Sequence, residues 1–186
     1  MDEGRAAASL RTFLRHETVV SHGKLDFALA SLRLEERRDY ARFLQVQLSA
    51  RAPIERWAAL HCPPDLRPPA AVPLLRADLA ALGASADVAE SRFDPPPGAH
   101  PLGLAWALAG SHLGNRALLA RLTRSGARLP TAFLADPHMP AFWKALRPLL
   151  ESPAAAAPAA AALAAAEAVF ACFAHTIGAK EGKLAA

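Results

Sequence analysis

The chain has 186 residues, 53% of them hydrophobic, and 21 Lys and Arg against 17 Asp and Glu give a net charge of +4. That length fits one domain with a substantial core, and scarce Val, Ile, Thr and Tyr beside abundant Ala, Leu and Arg favour helix over sheet. The charge is mild and spread out, which argues against a nucleic-acid partner, and Cys62 and Cys172 form no CxxC pair, so neither a disulfide framework nor a zinc site is indicated.

The opening Met1-Asp2-Glu3-Gly4 lacks the basic-then-apolar pattern of a signal peptide, and residues 1–4 read as a tail. Leu10, Leu14, Thr18, His22, Leu25, Leu29 and Leu32 recur at steps of three or four. The spacing predicts one helix from about Arg5 to Leu32, bent near Gly23, with that face and His22 turned into the core. A second helix is expected over Leu34–Ala50, with Tyr40, Phe43, Leu44 and Leu48 on one side. Pro53 suits the first turn of a short third helix carrying Ile54, Trp57 and Leu60. His61–Pro69 is a proline-rich loop. A helix over Val72–Leu82 ends at Gly83. Ser85–Pro101, with Pro95-Pro96-Pro97-Gly98, is a second loop, and a long helix over Leu102–Ser125 is closed by Gly126. Thr131–Pro140 connects to a helix from Pro140 to Leu150, and the last helix covers Ala159–Ile177. Gly178 onward, including 179–186, reads as a frayed tail. The stretch Ala154–Ala174 comes nearest to a membrane span, but Pro158, Glu167 and low side-chain hydrophobicity argue against one. The expectation is an all-α chain with a single domain over 1–186, in the cytoplasm, a reducing compartment, and no membrane partner.

Two features carry chemistry. His22 is followed one turn later by Asp26, within reach of the imidazole's second nitrogen. A carboxylate-oriented imidazole presents a neutral nitrogen to a metal; the same pair also suits a core histidine hydrogen-bonded locally. In the long helix Gly103, Ala107, Gly110 and Gly114 fall on one side with almost no side chain. Each interior glycine costs about 1 kcal/mol relative to alanine, so a neighbouring helix packed backbone to backbone, or a flat ligand, should offset it. Taken together, an inward imidazole and a bare helical face describe a clamp for a planar iron macrocycle with an open sixth position.

The segments Leu14-Arg15…Thr18…His22…Leu25-Asp26 and Ala109-Gly110-Ser111-His112-Leu113-Gly114 are similar to those of the haem oxygenases, most closely the small bacterial, biliverdin-producing kind. Tyr40…Phe43-Leu44, Leu75-Arg76-Ala77-Asp78-Leu79-Ala80-Ala81-Leu82-Gly83, Phe142-Trp143 and Ala168-Val169-Phe170 follow in consistent order over nearly the whole chain. The resemblance implies a haem-oxygenase-like helical bundle. It implies His22 as the axial metal ligand, Asp26 as its hydrogen-bond partner, Arg15 at a haem propionate and Phe170 lining the haem pocket. Gly110, Ser111 and Gly114 would form the catalytic distal segment. The implied reaction opens haem, at once substrate and cofactor, to biliverdin, carbon monoxide and ferrous iron. It uses O2 and electrons from an external reductase or ferredoxin, since no nucleotide-binding motif such as GxGxxG is present. A bilin-binding photoreceptor is a candidate recipient of the product.

The chain departs from that pattern in places. Trp106 and Ala109 stand where small bacterial relatives often carry a tyrosine and a glutamate. Asn115 replaces a second glycine, and Ser111 stands where other members place a water-organising aspartate. Haem binding is therefore the firmer expectation, and a non-catalytic haem carrier or sensor is the rival. A helical interaction module without cofactor is the third reading. His112 is expected to face away from the glycine stripe. His16 and His175 read as surface or satisfied histidines. Lys144 and Arg147 read either as a second propionate contact or as a solvated face, and Cys62-Pro63 as loop.

Overall fold

Leu10 and Leu14 are buried one turn apart, and Thr18, the next step of the same stripe, ends the helix that carries them. The structure is a computed structural model describing residues 8–156 and 158–182, with the side chains of 156 and 179–182 left aside. Helix α1 spans Leu10–Glu17, opened by the Ser9 hydroxyl, which accepts the Thr12 N–H. The Thr18 hydroxyl donates to the Leu14 carbonyl at 2.8 Å, a back-bond that bends helices, and α2 restarts over Val19–Leu29. The expected single helix thus breaks at Thr18 rather than bending at Gly23. Its expected first turn at 5–7, like the tails at 1–4 and 183–186, lies outside the described residues.

The second and third expected helices are one. Helix α3 runs Arg37–His61 with Pro53 inside it. A proline there withholds the N–H that the Ser49 carbonyl would otherwise receive. That carbonyl accepts the Ser91 N–H instead, at 3.0 Å, and the Ser49 hydroxyl donates to the Ala89 carbonyl. The 85–100 loop therefore satisfies the backbone group that the proline orphans.

A short 3-10 turn at Pro64–Leu66 leads to α4, Val72–Ala81. The Glu55 carboxylate accepts the N–H groups of Ala71 and Val72 at its start. The left-handed Gly83 (φ 62°) follows its end, as expected. The long helix divides into α5, Pro101–Gly110, and α6, His112–Ser125, which Gly126 (φ 72°) closes. Helix α7 covers His138–Leu150, starting two residues before the expected Pro140 because Asp136 accepts the His138 N–H. After a 3-10 turn at Ala154–Ala156, α8 runs Ala159–Gly182, so residues 179–182, expected to fray, continue the helix.

The fold is all-α: among the described residues there is no strand, only an isolated bridge between Ser9 and Pro153 that ties the start of α1 to the α7–α8 connector. Helix α8 is the centre, touching α5, α2, α3 and α1. Its segment Ala159–Gly178 is long and apolar enough by length and composition to cross a membrane, and its alanines supply a flat surface on which larger side chains pack. One core region lies between α3 and α4 with Leu122, Phe133 and Leu134. A second joins α1, α5 and α7, and a third joins α3, α5 and α8.

Candidate functional site

His22 does not enter the core. Its side chain is 61% exposed and that of Asp26 71%. The backbone bonds Thr18 N–H to Leu14 O and His22 N–H to Thr18 O keep helical spacing across the break. The stripe that buries Leu10, Leu14 and Thr18 continues as the half-buried Ser21, Leu25, Ala28 and Leu29, with His22 at its edge and no residue of α2 fully buried. Leu25 and Leu29 on α2 and Leu32 beyond it, expected inside, are half-buried. Helix α2 docks on α8, where the Ser21 hydroxyl donates to Glu167 at 2.6 Å. By helical periodicity His22 has Val19, Leu25, Asp26 and Leu29 as neighbours on α2, and of the large apolar side chains left in solvent, Val19, Val20 and Phe27, Val19 alone lies on that side.

The local pairing holds. His22 Nδ1 lies 3.0 Å from Asp26 Oδ2. With Nδ1–H donated to the carboxylate, Nε2 carries the lone pair and is the nitrogen free to bind a metal. The His22 ring meets the edge of Phe170 from α8 at 5.9 Å between centroids, and Phe170 in turn meets Trp106 of α5 at 6.3 Å. Helices α2, α8 and α5 thus bring His22, Phe170 and Trp106 into one aromatic chain.

The glycine stripe serves more than one purpose. A Cβ at Gly103 would fall 1.7 Å from the Ala162 carbonyl oxygen, so this glycine exists for backbone-to-backbone packing of α5 on α8 and offers nothing to a ligand. At Gly110 a Cβ would meet Trp143 at an ordinary 3.9 Å, and at Gly114 it would meet nothing. Only these last two remain bare. Between them the helix breaks at Ser111. A helix end orphans its last carbonyls, and here two side chains answer them. The Ser111 hydroxyl donates to Leu108 O at 2.7 Å, and His112 Nδ1 lies 2.6 Å from Ala109 O. His112 is buried beside Trp143, which gives that histidine a structural role at the break.

Sequence reasoning missed Arg51. It lies in the middle of α3 and is only 1% exposed. Its Nη2 donates to Ser111 Oγ at 3.1 Å and its Nε to Gln47 Oε1 at 3.3 Å, while its guanidinium lies over the Phe133 ring. Burial pushes its pKa down, opposed by the charges of Glu55 and Asp136. The signal was present: the apolar stripe Leu44, Leu48 steps next onto Arg51. Burial likewise raises the Glu55 carboxyl, partly offset by the N–H groups it accepts and by Arg51. Asp78, also buried, accepts the N–H groups of Ala132 and Phe133 at 2.9 Å each and so fixes the α6–α7 connector.

Arg15 is exposed at the end of α1 and has no ion-pair partner among the described residues. Lys144 and Arg147 lie on the exposed face of α7; His16 and His175 are on the surface. Cys62 is buried, and burial raises its thiol pKa. Among the described residues no group of three or more His, Cys, Asp or Glu could hold a bare metal ion. His22 is the residue that would hold an iron already carried by a macrocycle. The two cavities described are small, about 20 Å³ beside Arg51 and about 70 Å³ between α2 and α3, and neither is lined by His22, Gly110 or Gly114. A ligand at His22 would therefore lie on the open side of α2. The chain matches no family model, no curated protein and no solved structure.

Proposed function

We propose that this chain is a haem oxygenase, which binds haem through His22 and opens it oxidatively to biliverdin, carbon monoxide and ferrous iron. O2 is the oxidant, and a separate ferredoxin or reductase supplies the electrons. The observation that carries the reading is the His22–Asp26 pair, 3.0 Å apart on a helix that buries none of its residues. An imidazole whose Nδ1 is already engaged and whose Nε2 is free, beside the exposed Val19 and the Phe170 ring, suits a flat hydrophobic ligand bearing a metal.

Each residue then has a task. Asp26 holds the Nδ1 proton and raises the basicity of Nε2. Val19, one turn before His22, supplies apolar cover beside the macrocycle. Phe170 fixes the imidazole plane from α8, and Arg15 meets a propionate at the rim. Gly110 and Gly114 offer backbone without side chains on the distal helix, in a bundle of haem-oxygenase type. The bound haem supplies the iron at which O2 is activated. In this proposal the protein works in the cytoplasm, and its product feeds a bilin-binding photoreceptor or an iron supply.

One observation favours a second reading, a non-catalytic haem carrier. The Ser111 hydroxyl gives its proton to Leu108 O and accepts from Arg51, so it has no spare proton to deliver. One titration separates the two. Hemin should produce a histidine-ligated Soret band that His22→Ala removes. Ascorbate or a ferredoxin system in air should then bleach that band with the rise of biliverdin absorption. A stable ferrous-oxy spectrum would leave the carrier. Identical hemin spectra for wild type and His22→Ala would reject both.

A further inference from the structure

A fully buried guanidinium carries five N–H donors and needs partners for them. Arg51 has no carboxylate in contact among the described residues. Glu55 spends both oxygens on the start of α4, and Asp136 accepts the His138 N–H through Oδ1. Arg51 Nη1 is buried without a partner. Beside Arg51 lies the cavity of about 20 Å³, lined also by His112, Asn115, Arg116, Phe133 and Asp136. That exceeds the roughly 10–15 Å³ one water needs. Guanidinium donors on one wall and the Asp136 carboxylate on another suit an occupant that both accepts and donates, as a water does.

We infer that Arg51 is the positioning residue of the α5–α6 break, holding Ser111 through Nη2 and, through Nη1 and one cavity water, Asp136 on the α6–α7 connector. The planar fork makes the two ends interdependent. With one edge tied to the connector and one face on Phe133, the other edge reaches Ser111 Oγ in a single orientation, and charge-assisted bonds hold it there. The Ser111 proton is then committed to Leu108 O, which fixes where α5 stops and how the bare backbone of Gly110 and Gly114 is presented. Its meaning for catalysis rests on the haem reading; the clamp itself does not.

The test begins in the haem-free protein, by side-chain NMR of 15N-labelled arginine. Arg51 Hη1 protons should exchange slowly and show a cross-peak to a long-lived water. Asp136→Asn should remove that cross-peak and move Hη1 and, through the shared fork, Hη2 as well, whereas Ser111→Ala should move Hη2 most and leave the water cross-peak in place. Exchange as fast as that of the exposed Arg15, or Hη1 shifts that follow a sodium chloride titration and so report an anion, would overturn the assignment. The second arm uses hemin. Hemin affinity should change by the same factor in Arg51→Lys and Ser111→Ala, with no further change in the double variant. Additive changes would overturn the coupling. Absence of any Soret band sinks the haem reading while the first arm still decides the clamp.

Discussion

Gly103 and Ala162 meet backbone to backbone: a Cβ at 103 would lie 1.7 Å from the Ala162 carbonyl oxygen and 2.9 Å from its Cα. Neither atom is the end of a flexible side chain, so Gly103→Ala must push α5 from α8. Beside this contact the His100 N–H donates to Ala161 O at 2.9 Å, a bond the shift would strain. Overpacking costs about 1–3 kcal/mol or more, against about 1 kcal/mol gained in helix propensity. The expected outcome is a lower Tm and a lower denaturant midpoint for Gly103→Ala. An unchanged or raised Tm would show that the two helices are further apart than described.

Gly114 lies in the same sequence stripe with the opposite surroundings, since an added Cβ there meets nothing within 4 Å. Gly114→Ala should therefore stabilise the haem-free protein by about 0.5–1 kcal/mol through helix propensity. For a chain of this size that is a rise of about 1–4 °C in Tm. If the glycine is kept for a ligand, the same substitution should weaken hemin binding. Thermal melts with and without hemin read both effects, and a Tm gain with unaltered hemin affinity would remove Gly114 from the site.

What the sequence disclosed follows from how local each signal is. Gly83 and Gly126 end their helices because a left-handed residue is a property of one position. Pro53 misled because its cost is met by Ser91, in a loop far along the chain. His22 misled because it lies at the edge of the stripe, and α2 docks only shallowly, with Ser21, Leu25 and Leu29 half-buried and the imidazole left outside. The His22–Asp26 pair was legible all the same, since one helical turn fixes it whichever way the helix faces. Arg51 was hidden because an arginine on an apolar stripe reads as the surface end of that stripe. Its burial depends on Phe133 and Ser111, which the sequence places far away.

The buried thiols and Tyr40 give an alkaline limit. Burial raises the pKa values of Cys62 and Cys172 above the ordinary 9.0, partly offset by Arg67 and by the Ser91 hydrogen bond respectively. Burial, then the Asp78 charge, raises the Tyr40 phenol. In each case the folded value exceeds the unfolded one, so the folded protein keeps protons that the unfolded chain would lose. The contribution is complete below the ordinary thiol value of 9.0 and is lost as pH rises through the folded values. Tm should hold near pH 7–8 and fall steadily above about pH 9. The double variant Cys62→Ala, Cys172→Ala should flatten the first part of that fall. An equal slope in wild type and double variant would assign the loss to other groups.

The His22–Asp26 pair separates a surface ornament from a ligand. Both side chains are more than half exposed, and an exposed pair of this kind contributes about 0–1 kcal/mol. Asp26→Asn should leave the Tm of the haem-free protein nearly unchanged. A carboxylate that tunes a metal-bound imidazole counts for more, because losing it typically costs about 10–100-fold in metal affinity. Hemin titrations of wild type, Asp26→Asn and the neighbouring Lys24→Ala should show that drop for Asp26→Asn alone. Equal affinities for all three would mean that the carboxylate only decorates the helix, and would take away the observation on which haem binding at His22 was proposed.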